Sequence, residues 1–339
     1  MSMAEAATVD PGTPATARAG RPARAAGALR FLSTYGTLAA LAAMVAVFTL
    51  LQPTTFATVT NARNILGDMA VAAIVAAGLT VPLVGGDFDL SIGYVASFCG
   101  LLVVGLLNDR WPMPAAVLAV LALGAAIGVV NGAIVSKIGV NAFIATLGTG
   151  TVVVGLNYAY SGGIPLQLTH GLSFTDLAIG RWWGVPHLVV VMAAMLGLLW
   201  VVLNRTVQGQ HIKAIGVSAE TARRAGIAVD RSRIVAFALA GTCAAAGGIL
   251  LASTLGSGQV TAGDGFMLTS FAAAFLGSAA FREGQFHIGG TFVGVLTVAV
   301  GNNGLAMVGA PIFTQYVFSG TLLVAAVALS SLGRRYAIG

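Results

Sequence analysis

The chain has 339 residues, 57% of them hydrophobic and only 8% charged, whereas a soluble domain carries about 25% charged residues; a water-soluble globule is excluded. The formal net charge of +6 comes from basic residues beside apolar blocks rather than from one polar face, so it reads as membrane orientation and not as a nucleic-acid surface.

Residues 1–30 are rich in Ala, Pro, Thr and Gly and carry Arg18, Arg21, Arg24 and Arg30. They hold too little apolar surface to fold and read as a disordered basic cytoplasmic tail. The apolar block 31–51 is longer than a signal-peptide core and no small-x-small cleavage site follows it, so it reads as an uncleaved signal anchor. Further apolar blocks follow at 66–84, 90–107, 113–135, 140–160, 187–203, 234–253, 266–281, 288–303 and 314–332. Each approaches the ~20 residues that cross a bilayer. The expectation is an all-α polytopic membrane protein, a bundle of about ten transmembrane helices occupying 31–333, with a short tail at 334–339. With both termini in the cytoplasm, 14 of the 17 Lys and Arg fall inside, as the positive-inside rule requires. Segments 161–186 and 254–265 then face outward, and 204–233 is the longest cytoplasmic connection.

The 45 glycines are dispersed through the apolar blocks, which suits close helix packing in lipid. Cys99 and Cys243 lie within such blocks and read as packing residues rather than a disulfide or metal pair. Gly86-Asp87-Phe88-Asp89 and Gly284-Gln285-Phe286-His287 are faintly alike, as are Asn131-Gly132 and Asn303-Gly304, without establishing an internal repeat.

No catalytic constellation is present. Lys137 and Lys213 are the only lysines and neither follows glycine, which excludes a phosphate-cradling P-loop. His170, His187, His211 and His287 are scattered and read as solvated loop residues. Two segments stand out instead. In Gly85-Gly86-Asp87-Phe88-Asp89-Leu90-Ser91-Ile92-Gly93, carboxylates lie between apolar blocks, where an acid is costly unless paired or wetted. Asp89 reads equally as an N-cap accepting from amides near Ile92, and the glycines permit an irregular backbone beside a solute path. In the 204–233 loop, Ser218 is a plausible N-cap, Glu220 lies in the first turn and Gly226 stops the helix. Such a two-turn helix is too short to be stable alone, so either its own bundle or a partner protein holds it.

Residues 85–93, Val130-Asn131-Gly132, 141–148 (Asn-Ala-Phe-Ile-Ala-Thr-Leu-Gly) and 209–216 (Gly-Gln-His-Ile-Lys-Ala-Ile-Gly) together resemble the ribose/xylose/arabinose-type ABC transporter permease family, from about residue 60 to 333. Glu220, Ala222 and Gly226 resemble the coupling loop of ABC importers, with Thr221 in place of its first alanine; Arg223 lies within the same motif. The stretch 277–285 departs from the family in being less glycine-rich. The resemblance implies a permease subunit for a monosaccharide or sugar-like solute in a bacterial inner membrane. It also implies a second permease copy, homodimeric or a close paralogue, a cytoplasmic ABC ATPase docking on the loop, and an extracytoplasmic substrate-binding protein. The chain would bind no cofactor, ATP being hydrolysed by the partner. Path-lining candidates are Asp87, Asp89, Ser91, Asn131, Asn141, Phe143, Thr146, Asn302 and Asn303; for the Asn and Thr residues, helix-to-helix hydrogen bonding is the competing role. Nucleosides, polyols, branched amino acids or furanosyl signalling molecules would suit the same architecture. An ion-coupled secondary transporter would have to use Asp68, Asp87 and Asp89.

Overall fold

The computed structural model describes residues 23–278 and 284–337. Its elements are α1 Ala23–Leu51, α2 Val59–Val84, α3 Ile92–Asn108, α4 Met113–Ala133 continued by a π-helical turn Ile134–Ile138, and α5 Ala142–Ser161. Strand β1 (Leu166–Gln167), a 3-10 turn (Leu172–Thr175), the single turn α6 (Asp176–Ile179) and the hairpin of β2 (Arg181–Trp182) and β3 (Val185–Pro186) follow. Then come α7 His187–Arg205, α8 Val207–Val217, α9 Ala219–Arg224, α10 Val229–Leu255, β4 Ser257–Gly258, α11 Gly265–Ser278, α12 Ile288–Met307 and α13 Phe313–Ala337.

Every expected span overlaps one of these helices, and six helices among the described residues are long and apolar enough to cross a membrane. The protein is an all-α, multi-pass membrane protein. Residues 36–51, 92–108, 265–278 and 313–325 form shorter apolar helices. Some boundaries move. α1 begins at Ala23, inside the segment expected to be a disordered tail; residues 1–22 lie outside the described residues, as do 279–281 of the expected eighth span. α2 begins at Val59 because the Thr58 hydroxyl accepts the Asn61 amide at 3.1 Å, a cap in a polar stretch that hydropathy does not register.

α10 is the central helix, packed against α2, α3 and α4. The small residues that dilute its hydropathy allow this. A methyl group at Gly241 would overlap the Gly124 carbonyl, one at Gly248 the Ala96 carbonyl, and one at Gly128 the Phe237 carbonyl. Cys243 is buried and packs against Gly78 of α2, and Cys99 is buried too, both as packing residues.

The connecting segments gather at two ends. At one, β1 pairs antiparallel with β4, Leu166 opposite Gly258, joining the two segments expected to face outward. Asn108 donates to the Gln167 carbonyl at 2.8 Å at the same end. Trp183 (φ 48) and Gly184 (φ 80) turn the β2–β3 hairpin, the backbone that a two-residue hairpin favours. At the other end lie Lys137, α8, α9 and the start of α10.

Element order repeats: a long helix, an extended break and three further helices occur as α2 to α5 and again as α10 to α13. The resemblance of Gly86 to Gly284 does not mark this repeat, since one precedes α3 and the other precedes α12. Asn131 and Asn303 do fall near the ends of corresponding helices, α4 and α12.

Candidate translocation site

α2 ends at a Schellman motif. The Gly86 amide donates to the Leu83 carbonyl at 3.1 Å and the Asp87 amide to the Pro82 carbonyl at 3.0 Å. That closure needs a left-handed residue at Gly86, whose φ is +84, a conformation open to glycine without penalty. The chain then runs without regular structure until α3 begins at Ile92. A side chain at Gly216 would overlap the Val84 carbonyl, so the segment starts against the end of α8. By Ser91 it has reached Gly150, where a methyl would lie 3.3 Å from the Ser91 Cα; Gly150 lies eight residues into α5, about 12 Å along its axis. The break therefore penetrates the bundle.

Side chains satisfy the interrupted backbone, as a buried break requires. Asp89 Oδ1 accepts from the Ser91 amide at 2.9 Å and from the Ser91 hydroxyl at 2.6 Å. This corrects the expected capping role: Asp89 folds over Ser91 in an Asx-type turn and does not cap α3 near Ile92. Asn131 Nδ2 of α4 donates to Ser91 Oγ at 2.9 Å, and the Thr149 hydroxyl of α5 donates to Asn131 Oδ1. The Leu90 amide donates to the Thr146 hydroxyl at 3.0 Å, which in turn donates to the Ala142 carbonyl at 2.7 Å. Asp89, Ser91, Asn131 and Thr146 are all buried, and Asp89 Oδ2 has no hydrogen-bond partner. Asp87 pairs with Arg233 of α10, Nε to Oδ2 at 3.0 Å.

A second break, between α10 and α11, enters from the opposite end. It leaves β4 beside Leu101 and reaches Gly93, where a methyl would lie 2.9 Å from the Gly263 carbonyl oxygen and 3.2 Å from the Met267 amide. Ser97 of α3 donates to Asp264 at 2.7 Å and accepts the Gly263 amide at 2.9 Å. The N-termini of α3 and α11 thus meet inside the bundle. Two positive helix ends converge there with Asp89 and Asp264 nearby, a polar region reached from both ends by irregular backbone.

The remaining path candidates separate. Asn141 caps α5, accepting the Phe143 amide at 2.9 Å, and both Asn141 and Phe143 are exposed. Phe88 stacks on Phe271 of α11 with centroids 6.0 Å apart. Asn303 lies elsewhere: it exchanges two hydrogen bonds with Asn61 at 3.0 and 3.1 Å, joining α12 to α2. Asn302 Oδ1 is buried without a partner. Two histidines are structural rather than solvated: His287 caps α12 by accepting the Gly290 amide at 2.8 Å, and His187 Nδ1 lies 2.8 Å from the Asp176 carbonyl.

The loop helix forms as its residues require. Ser218 Oγ accepts the Thr221 amide at 3.2 Å, Glu220 occupies the first turn of α9, and Gly226 adopts φ +83. The Gly226 and Ile227 amides close a second Schellman motif on Arg223 and Ala222, each at 3.0 Å. Ala222 is buried with Ile215 and Val229, so the bundle itself anchors the helix. Glu220, Arg223 and Arg224 are exposed, Arg224 donating to Glu220 at 3.0 Å.

Arg233, Thr149 and helix α8 stand outside the residues and elements expected from the sequence, and Gly216 enters there only as the end of the 209–216 motif. For α8 a signal existed: Thr206 caps it, accepting the Gly209 amide at 3.1 Å, a threonine three residues before glycine at the end of an apolar block. For Arg233, nothing local distinguishes it from Arg231.

Over 288 residues the chain is 35% identical to the ribose import permease protein RbsC of Escherichia coli K12, covering 83% of this chain and 88% of that protein. It is 33% identical over 284 residues to RbsC of Bacillus subtilis strain 168, with 84% and 88% covered. It is also 33% identical over 283 residues to the L-arabinose transport system permease protein AraH of E. coli K12, with 80% and 83% covered. No solved structure matches. Residues 61–327 match the model of one family of transport proteins, and the chain belongs to it: the branched-chain amino acid transport system / permease component family.

Proposed function

We propose that the chain is the membrane-spanning subunit of an ABC importer for a monosaccharide, residing in a bacterial inner membrane with ten spans and both termini in the cytoplasm. Two copies would enclose the path, a cytoplasmic ATPase would dock on α9 and hydrolyse ATP, and a binding protein would deliver solute to the opposite face. The names of the ribose and L-arabinose permeases support the solute class. The pairing of 161–186 with 254–265 supports the sidedness, since both segments belong at one end.

One observation carries the coupling mechanism. α9 leads through a short turn into α10, whose Arg233 holds Asp87 at the foot of the break, while Gly216 at the end of α8 lies on Val84. A shift of α9 caused by ATPase closure would therefore be delivered to the break and to the polar region behind it. The buried hydroxyls and amide of Ser91, Asn131 and Thr146, with the half-buried Thr149, hold the break in one arrangement, and their release would offer donors and acceptors to a polyol ring. The exposed face of α5 supports a second copy: a methyl group added at Gly148 or Gly155 would meet nothing within 4 Å, leaving small residues open for helix association.

The test is reconstitution with the cognate ATPase and binding protein in vesicles, followed by uptake of labelled ribose, L-arabinose and galactose. ATP-dependent uptake of one of them is expected. Uptake driven by a proton or sodium gradient without ATP would overturn the proposal. An ion-coupled site finds no support in the geometry: Asp68 is exposed and lies 16 residues before Val84, about 24 Å along α2 from the Asp87–Asp89 segment.

A further inference from the structure

A cleft lies at the end of the bundle that holds α9. Its volume is about 630 Å³; Lys137, Arg223, Asp230 and Arg231 line it together with apolar residues that include Ile227, Ile234 and Val235. Three cations face one acid. Asp230 is engaged by Arg223, Nη2 to Oδ1 at 3.3 Å, which leaves Lys137 and Arg231 exposed and without an acidic partner among the described residues. No side chain caps the first turn of α10, so its amides add positive potential to the cleft.

The cleft continues onto an apolar surface. Ile138, beside Lys137, is 73% exposed. Above it α4 exposes Val130, Val129 and Leu118 along its length, Val130 lying two turns before Lys137. An occupant that satisfies both parts carries an anion at one end and hydrocarbon at the other.

We propose that this cleft binds the phosphodiester headgroup of an anionic phospholipid, with its acyl chains along the exposed apolar face of α4. Lys137 and Arg231 hold the phosphate, and Ile227, Ile234 and Val235 cover the glycerol backbone. A basic cleft at a helix foot beside lipid-facing hydrocarbon is the arrangement by which membrane proteins select anionic headgroups. The site lies beside the coupling helix, so lipid composition would tune the coupling; this regulatory part rests on the function proposed above, whereas the binding itself does not.

The experiment uses the detergent-purified complex of this chain with its ATPase, in which sidedness is irrelevant. Native mass spectrometry measures the binding of phosphatidylglycerol, of phosphatidylcholine with the same chains, and of inorganic phosphate. Wild type is expected to retain phosphatidylglycerol saturably and in preference to phosphatidylcholine. The pair Lys137→Gln with Arg231→Gln should weaken that retention roughly tenfold or more, and Lys137→Arg with Arg231→Lys should restore it. Equal retention in wild type and the Gln pair would overturn the proposal. So would inorganic phosphate binding as tightly as the lipid, which would mean a free-anion site. Loss of the ATPase from the Gln pair would also overturn it, by assigning the cleft to the protein interface. Failure of the complex to transport any sugar, with selective lipid retention intact, would count against the proposed function alone.

Discussion

Arg233 at the start of α10 lies 3.0 Å from Asp87, and this one ion pair joins the helix that follows the coupling segment to the break between α2 and α3. The residues are far apart in sequence, yet their side chains are only 25% and 9% exposed.

Breaking that pair should cost more than breaking a surface pair and less than breaking a fully buried one, about 1–3 kcal/mol. Arg233→Gln is therefore expected to lower the thermal unfolding midpoint and to reduce uptake. The exchange Asp87→Arg with Arg233→Asp should recover part of both. Unaltered stability and uptake in Arg233→Gln would remove the pair from the mechanism.

Asp89 is a different test because its bonds are local. Asp89→Ala removes the acceptor for the Ser91 amide and hydroxyl, bonds to a charged group worth about 1.5–3 kcal/mol when lost. Asp89→Asn keeps an oxygen in place for both. The expected order of uptake is wild type, then Asn, then Ala, with membrane insertion unchanged. Uptake by the Ala variant equal to wild type would show that the break does not need this turn.

Gly226→Val places a β-branched residue at φ +83, where a methyl meets no neighbour within 4 Å. The cost is thus conformational, roughly 1–2 kcal/mol, and it falls on the Schellman closure that aims Ile227. Glu220→Lys leaves the fold intact but puts a cation at the positive end of α9. Both variants should insert normally and lose ATPase co-purification or solute-stimulated hydrolysis. Full association and hydrolysis in both would reduce 204–233 to a basic topological anchor.

Two glycine substitutions separate the bundle from the assembly. Gly128→Leu would force a side chain into the Phe237 carbonyl at the α4–α10 contact, so the chain should fail to accumulate. At Gly148 an added methyl group meets nothing within 4 Å, so Gly148→Leu should accumulate normally, yet disrupt pairing of two copies by size-exclusion chromatography coupled to light scattering. A Gly148→Leu dimer indistinguishable from wild type would move the interface away from α5.

Much of this protein is local and legible in its sequence. Long apolar blocks report helices because in lipid each backbone amide must bond within its own segment, and hydropathy needs no knowledge of neighbours. α9 is legible for the same reason: a Ser218 cap, an early Glu220 and a Gly226 stop act over a single turn each. What one dimension leaves open is depth and pairing. Asp89 looks like a helix cap along the chain, and only the approach of Asn131 and Thr146 from α4 and α5 makes it part of a buried network. Asn303 reads both as path lining and as a helix-to-helix hydrogen bond, and only its partner Asn61, 242 residues away, decides for the second. The penetration of the two breaks, and with it the meeting of the α3 and α11 N-termini, follows from glycines at 93, 100, 248 and 263 that let the backbones of α3, α10 and the second break touch. A glycine in the sequence permits such an approach, but which backbone arrives against it is settled by packing alone.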